Sequence, residues 1–207
     1  LAEVADKFVV VNISGSPVSM PWEDKADAIV QGWYGGTESG NALADVLTGK
    51  VNPSGRLPFS IPFKYEDGPI KTEAQYPGIK AEDDQFWQTH YSEGVYVGYR
   101  WYDSKDVPVQ WPFGHGLSYT TFEYGNAKAA RPYMKADGTL KVSVEVTNTG
   151  EIDGAEIVQL YIADPEASID RPAKELKGFE KVYLKAGQTK KVDFVIDAAD
   201  LSYFDAG

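Results

Sequence analysis

Two aromatic residues and one acidic residue lie within a single glycine-rich stretch, and their side chains are the best suited to chemistry. Trp33 and Tyr34 precede Gly35-Gly36, and Glu38 follows two residues later. Aromatic rings stack on the apolar face of a sugar ring. A glycine-rich turn lets a carboxylate enter a cleft at a sheet edge, where α/β folds bind ligands. Trp33, Tyr34 and Glu38 are therefore the candidate substrate-binding residues.

Each candidate also has a purely structural interpretation, which is the more common outcome for such residues. Glu38 would lie in the first turn of a helix and stabilise its positive end. Trp33 and Tyr34 would pack in a core or at an interface. The same two interpretations apply to Trp87 and Trp101, which could also stack on a sugar. The residue types and spacing leave both interpretations open.

The composition excludes several kinds of catalytic site. The sequence has no cysteine, which excludes disulfides, cysteine-bound zinc and thiol nucleophiles, and it has only two histidines, too few for a three-histidine metal site. There is no G-x-S-x-G serine motif, and Glu38 stands where a phosphate-binding loop needs a base. Glycoside hydrolysis needs paired carboxylates, and no pair lies in a convincing pocket context. We therefore predict no catalytic residue, no metal and no cofactor.

The charge balance argues against nucleic acid and anionic lipid as partners. The sequence contains 31 acidic and 20 basic residues, a formal net charge of −11, and such a surface repels both polyanions. No run approaches the roughly 20 apolar residues of a membrane-spanning helix. The first residues show neither an initiator methionine nor a signal peptide. We suspect a fragment, whose compartment (periplasmic, secreted or cytoplasmic) is undetermined.

The candidate residues need elements that position them, and the first stretch, residues 1–64, predicts an α/β segment. The apolar run at residues 8–13 suits a strand buried on both faces of a sheet. A second apolar run covers residues 28–34. Apolar residues then recur at helical spacing over residues 38–47, and Gly49 fits the position just past the helix end.

Two further stretches have different textures. Residues 65–125 are acidic, rich in aromatic residues and poorly periodic, so we interpret them as an ordered connector that packs through aromatic anchors. Residues 126–207 alternate apolar and polar side chains between turn signals. This alternation predicts an all-β sandwich of the immunoglobulin-like or fibronectin type III-like kind, with a hairpin at residues 180–184 and 190–196. We expect most aromatic residues of this stretch at core-like positions.

Long, ordered motifs span nearly the whole chain. Residues 28–58 read AIVQGWYGGTESGNALADVLTGKVNPSGRLP, and residues 10–18 read VVNISGSPV. Residues 91–103 read YSEGVYVGYRWYD, residues 111–120 read WPFGHGLSYT, residues 145–150 read EVTNTG and residues 154–162 read GAEIVQLYI. Together these motifs resemble glycoside hydrolase family 3, the β-glucosidase and β-xylosidase family.

The resemblance implies an enzyme of which this chain covers only the last part. Family members carry an aspartate nucleophile on a (β/α)8 barrel. An α/β sandwich domain supplies the general-acid glutamate in many members, and a fibronectin type III-like domain follows. The chain resembles the C-terminal part of the α/β sandwich domain (residues 1–64), a connector (residues 65–125) and the third domain (residues 126–207). The barrel motif and the acid-bearing loop are not among these residues, so Glu38 is not assigned the acid role.

The resemblance implies hydrolysis of terminal non-reducing β-D-glucosyl or xylosyl residues. The retaining mechanism needs two carboxyl groups about 5–5.5 Å apart, so we expect the chain alone to be inactive and structural. Its partner would be the remainder of the parent enzyme, through which it would meet β-glucosides or xylosides. Apolar surface left by missing domains would favour association, including homo-oligomers. The alternative is a non-catalytic carbohydrate-binding or protein-interaction module, because fibronectin type III-like folds host many functions.

Overall fold

A computed structural model describes residues 2–80 and 86–204, which divide by their contacts into two compact units. The α/β unit contains the described residues up to Asp45, together with Leu57–His115 and Ala163–Lys174. The β-sandwich unit contains Val46–Arg56, Gly116–Ile162 and the described residues from Glu175 onward. Each unit is therefore built from separate stretches of the chain. The boundaries at residues 64 and 125 that the sequence suggests stay a prediction.

Two parallel strands open the α/β unit. β1 (Val9–Asn12) pairs with β2 (Ala28–Gln31), so that Val9 lies opposite Ala28 and Asn12 lies opposite Gln31. Both strands fall inside the two predicted apolar runs, whose valine and isoleucine residues favour extended backbone. The carboxyl ends of both strands meet at one edge, which is where Trp33 and Tyr34 follow in the sequence.

A short turn connects β2 to the first helix. Residues Gly36–Glu38 form a single 3₁₀ turn that leads into α1 (Ser39–Leu47). Gly49 follows the helix with a φ of +75° and donates its N–H to the Val46 carbonyl at 2.9 Å, which satisfies a carbonyl of the last helical turn. The predicted order of strand, glycine turn and helix is confirmed. Among the described residues, no helix is both long and apolar enough to cross a membrane.

Short elements complete the α/β unit. They are β3 (Ile61–Pro62), β4 (Ile79–Lys80), β5 (Trp87–Gln88), α2 (Tyr99–Ser104) and β6 (Val109–Trp111). β3 pairs with β6 and β4 pairs with β5, both antiparallel. Met20, Ile61 and Tyr102 are the large apolar side chains that are buried among the described residues of this unit.

The β-sandwich unit contains two antiparallel sheets. Its elements are β7 (Phe122–Tyr124), β8 (Lys128–Ala129), β9 (Leu140–Asn148), β10 (Gly154–Ile162), β11 (Glu175–Leu184), β12 (Thr189–Ile196) and the short helix α3 (Ala198–Leu201). One sheet has the order β12–β9–β7, with β8 also paired to β9, and the other sheet contains β10 and β11. Val146 and Val192 of the first sheet pack with Val158 and Leu184 of the second to form the core.

The hairpin predicted for residues 180–184 and 190–196 is wrong. Both strands exist, but β11 pairs with β10 whereas β12 pairs with β9. The turn between them carries the chain from one sheet to the other, with Gly187 at a φ of +71° and the Gln188 N–H donating to the Lys185 carbonyl at 2.9 Å. An alternating pattern identifies a strand, but it carries little information about which strand is the partner.

The expectation that most aromatic residues of the sandwich lie at core-like positions is also wrong. Tyr133, Phe179 and Tyr183 are 67%, 68% and 66% exposed. Tyr203 and Phe204 are exposed as well, and only Tyr161 and Phe194 are half-buried. Alternation places residues on two faces of a strand, but it does not tell which of those faces is covered.

Candidate functional site

Polar side chains join the carboxyl ends of the two parallel strands. The Asn12 amide nitrogen donates to the Gln31 amide oxygen at 2.7 Å and to the Ser14 hydroxyl at 2.9 Å. Gln31 in turn donates to the Ser14 carbonyl at 2.8 Å, and the Gly32 N–H donates to the Asn12 carbonyl at 2.8 Å. This network fixes the edge at which α/β sheets commonly bind ligands.

Trp33 leaves this edge with an unusual backbone conformation. Its φ is +52°, a region that bulky residues rarely adopt and that costs about 1–3 kcal/mol. The half-buried indole packs edge-to-face on Phe59, with ring centroids 5.2 Å apart. Packing on Phe59 therefore stabilises the strained turn. Strained residues of this kind cluster at ligand sites, which keeps Trp33 a candidate.

Tyr34 follows Trp33 in the sequence and is the more exposed of the two aromatic candidates. Its side chain is 76% exposed. A methyl group added at Gly15 would lie 2.8 Å from Cε2 of Tyr34, so the absence of a side chain at Gly15 lets the ring lie against the backbone. The ring therefore lies close to Gly15 at its Cε2 edge, and most of its surface is exposed.

Glu38 closes the 3₁₀ turn immediately before α1. It is exposed and its Oε2 accepts a hydrogen bond from the Asn41 amide at 2.7 Å. A carboxylate at this position interacts favourably with the positive end of the helix, so the structural interpretation of Glu38 fits its location. Because Glu38 is exposed, a ligand hydroxyl can also reach its carboxylate, and the binding role stays a prediction.

Trp87 and Trp101, the two further stacking candidates, have different environments. Trp87 lies on β5 and is 63% exposed. Trp101 lies on α2, where its indole N–H donates to the Asp67 carbonyl at 2.8 Å and the Lys71 ammonium lies 5.3 Å from the ring centroid. Trp101 is therefore held by contacts within the α/β unit. Within residues 2–80 and 86–204, no three His, Asp or Glu side chains are grouped so as to hold a metal ion.

The β-sandwich unit contains a polar cluster that the sequence pattern does not reveal. The Arg56 guanidinium pairs with the Glu156 carboxylate, and their side chains are only 11% and 9% exposed. The Tyr124 hydroxyl donates to the other carboxylate oxygen at 2.7 Å. Burial raises the pKa of the Tyr124 hydroxyl, and the hydrogen bond to Glu156 and its negative charge raise it further, while the Arg56 charge opposes the shift. Both oxygens of Glu156 are engaged, so this cluster stabilises the fold and offers no free acid.

The chain matches two family models along its length. Residues 1–119 match the glycosyl hydrolase family 3 C-terminal domain, and residues 156–207 match a fibronectin type III-like domain. The chain is 48% identical over 207 residues to the beta-glucosidase BoGH3A of Bacteroides ovatus, covering 99% of this chain and 27% of that protein.

Solved structures of relatives show the same fold. The GH3 beta-glucosidase of Bifidobacterium adolescentis superposes with a TM-score of 0.89 at 42% identity, covering 99% of this chain and 29% of that one. Beta-glucosidase 3B from Thermotoga neapolitana in complex with glucose gives 0.86 at 40% identity, covering 96% and 27%.

These matches confirm the predicted fold class, an α/β segment followed by a fibronectin type III-like sandwich. The chain spans about a quarter of the length of the relatives it matches. The family match covers more than half of the chain, and it includes the turn that carries Trp33, Tyr34 and Glu38. The chain therefore belongs to glycosyl hydrolase family 3.

Proposed function

We propose that this chain acts as the C-terminal portion of a β-glucosidase that releases terminal non-reducing β-D-glucosyl residues. The observation that carries the proposal is 48% identity over 207 residues to a protein named as a beta-glucosidase. The two carboxyl groups of a retaining mechanism would come from other parts of the full-length polypeptide. In that enzyme, the α/β unit would form part of the wall around the substrate.

The exposed faces of the parallel strands support a role as part of a larger assembly. Parallel sheets are normally covered on both faces, and two strands alone are marginally stable. On β1 and just beyond it, Val9 is 45% exposed and Ile13 is 52% exposed. Further polypeptide of the parent enzyme would cover these side chains and extend the sheet.

Each of the three candidate residues has a distinct part in the proposed site. The exposed Tyr34 ring would stack on the apolar face of a sugar, and Glu38 would accept a hydrogen bond from a sugar hydroxyl. Trp33 would set the direction in which Tyr34 leaves β2, since its strained backbone is held by Phe59. The candidates bind and orient substrate, and none of them is assigned a proton transfer.

Variants of the full-length polypeptide test these roles. Tyr34→Ala is expected to lower kcat/KM for an aryl β-D-glucoside about tenfold, the equivalent of one lost stacking contact. Tyr183→Ala is the matched control, because Tyr183 is also mostly exposed but lies on β11. An unchanged kcat/KM in Tyr34→Ala would show that the ring does not bind substrate.

Glu38→Gln separates the two interpretations of Glu38. If Glu38 binds substrate, Glu38→Gln will have a higher KM and a nearly unchanged free energy of unfolding. If Glu38 only stabilises the start of α1, Glu38→Gln will have an unchanged KM and a free energy of unfolding lower by about 0.3–1 kcal/mol. A thermal melt and a KM measured on the same preparation give both readouts.

Sugar preference is tested on the full-length polypeptide with matched aryl glycosides. A glucoside exceeds a xyloside by one hydroxymethyl group, a difference that a fitted pocket converts into about tenfold or more in kcat/KM. We expect the glucoside to be preferred, as in the relatives' names. Equal or higher kcat/KM for the xyloside would reverse the assignment.

The alternative of a non-catalytic binding module is supported by one observation, although the comparisons do not favour it. Phe179 and Tyr183 lie four residues apart on β11, share one face of the strand and are both exposed. Titration of the chain with cellobiose and xylo-oligosaccharides by calorimetry tests this face. We expect no measurable heat, and millimolar or tighter binding that disappears in Phe179→Ala would favour the alternative.

A further inference from the structure

Residues Ala163–Lys174 connect β10 to β11, yet their contacts place them in the α/β unit. The segment has no helix or strand of its own, and it is longer than the usual connection of about 4–6 residues. Two groups of its contacts involve the side chain of Tyr96 and the C-terminal end of α2.

Tyr96 is held from two directions. Its hydroxyl donates to the Asp170 carboxylate and lies 3.3 Å from the Arg171 carbonyl oxygen. On the ring itself, the Lys105 ammonium lies 4.3 Å from the centroid. A phenol that donates to a carboxylate makes a charge-assisted hydrogen bond, which is stronger than a neutral one. The hydroxyl therefore ties the loop before α2 to the connecting segment.

The end of α2 makes a second set of contacts. The Ala173 N–H donates to the Ser104 hydroxyl at 2.8 Å, and the Lys174 ammonium lies 3.1 Å from the Asp103 carboxylate. Asp103 and Ser104 are the last two residues of α2. The connecting segment thus supplies a donor and a cation to one end of a six-residue helix.

α2 needs such support because it is short. Isolated helices below about 12–15 residues are marginal in water. Tyr102 is buried, and Tyr99 packs on Phe113 with ring centroids 4.7 Å apart. Polar contacts from Ala163–Lys174 add to this packing at the C-terminal end of the helix. The same contacts offset part of the conformational entropy that the irregular segment loses when it is ordered.

We propose that residues 163–174 act as a latch on the α/β unit, and that the Tyr96–Asp170 hydrogen bond closes it. When the latch is closed, the loop of Tyr96, helix α2 and the connecting segment are ordered together. When it opens, all three lose protection from solvent in one step while the sandwich sheets stay intact. This inference concerns the chain itself and does not rest on the proposed enzymatic function.

Hydrogen exchange of the whole chain, followed by mass spectrometry, tests the latch. Tyr96→Phe keeps the ring under Lys105 and removes only the hydroxyl, and Asp170→Asn removes the charge of the acceptor. Each variant is expected to speed exchange about tenfold or more in peptides from 91–105 and from 163–174. Exchange in β9 and β12 should not change. Tyr91→Phe is the matched control, because Tyr91 is 80% exposed. Its exchange rates should equal those of the unsubstituted chain.

The double variant Tyr96→Phe with Asp170→Asn decides whether the two residues act as one. A closed latch predicts that the double variant exchanges no faster than Tyr96→Phe alone, because the hydrogen bond that Asp170→Asn weakens is already absent in Tyr96→Phe. Faster exchange in only one of the two segments, effects that multiply in the double variant, or unchanged exchange in both single variants would overturn the proposal. If Tyr96→Phe lowers the overall stability, Asp170→Asn gives the same test from an exposed side chain.

Discussion

The guanidinium of Arg56 and the carboxylate of Glu156 form a nearly buried ion pair between residues 100 positions apart in the sequence. Both belong to the β-sandwich unit, in which Arg56 ends the stretch Val46–Arg56 and Glu156 lies on β10. A buried carboxylate is costly unless it is paired. The pair therefore makes Val46–Arg56 an integral part of the sandwich, although the stretch precedes the first sandwich strand by many residues.

Removing Arg56 tests this role. Arg56→Met leaves Glu156 buried without its cation and is expected to lower the free energy of unfolding by about 3–5 kcal/mol. The matched control is Lys141→Met, because the Lys141–Asp193 pair spans 2.8 Å but is 51% and 37% exposed. An exposed pair contributes at most about 1 kcal/mol. Urea unfolding followed by circular dichroism measures both, and equal losses in the two variants would contradict the assignment.

Alkaline pH is expected to destabilise the sandwich through Tyr124. Burial and Glu156 raise the pKa of its hydroxyl above the usual value of about 10. The folded state therefore holds this proton more tightly than the unfolded state does. The resulting stability is fully present below a pH of about 10 and is lost as the pH rises above it.

Tyr124→Phe is expected to flatten this pH dependence. The free energy of unfolding should be measured between about pH 8 and pH 12, with Tyr133→Phe as the control because Tyr133 is exposed. A residual slope is expected in Tyr124→Phe, since the pKa values of Tyr96 and Tyr102 are also raised, by the Asp170 hydrogen bond and by burial respectively. If the free energy of unfolding falls with pH equally steeply in the unsubstituted chain and in Tyr124→Phe, this hydroxyl is not coupled to folding.

Gly15→Ala tests whether the backbone supports the Tyr34 ring in the proposed site. The new methyl group would lie 2.8 Å from Tyr34 Cε2, so the exposed ring is expected to move, and KM of the full-length polypeptide for an aryl β-D-glucoside should rise.

The control is Gly40→Ala, since a methyl group at Gly40 in α1 meets no heavy atom within 4 Å. It should leave KM unchanged and stabilise the helix by about 0.5–1 kcal/mol. A Gly15→Ala variant with unaltered KM would separate the position of Tyr34 from substrate binding.

The spacing of apolar residues along the sequence predicts several strands and helices correctly, because each kind of element has its own period. Residues 8–13 and 28–34 contain β1 and β2, and residues 38–47 contain α1. Long-range relationships were beyond such patterns. Nothing near Arg56 indicates that its partner is Glu156, and the alternation in β11 and β12 does not reveal that they belong to different sheets.

The candidate site was only partly predictable for a similar reason. The sequence places Trp33, Tyr34 and Glu38 at the end of a strand, which the structure also does. The positive φ of Trp33 and its contact with Phe59 depend on tertiary packing. A residue of that size gives no local signal for a conformation that glycine usually adopts.

Self-association of the isolated chain is a further expectation. Val9, Ile13 and Tyr34 are exposed on or beside the parallel strands, and exposed large apolar side chains favour association when they form a patch. Sedimentation velocity at increasing concentration should show a growing fraction of larger species, and mild detergent should reverse it. A single monomeric species at every concentration would contradict this expectation.

The most direct test of the account is the hydrolysis of an aryl β-D-glucoside by the purified chain alone. Since we propose that both catalytic carboxyl groups lie on other parts of the full-length polypeptide, we expect the chain alone to release no aryl group above the buffer blank. The full-length polypeptide at equal concentration should release it readily. Turnover by the chain alone within about tenfold of the full-length rate, about 1.4 kcal/mol in activation free energy, would contradict the account.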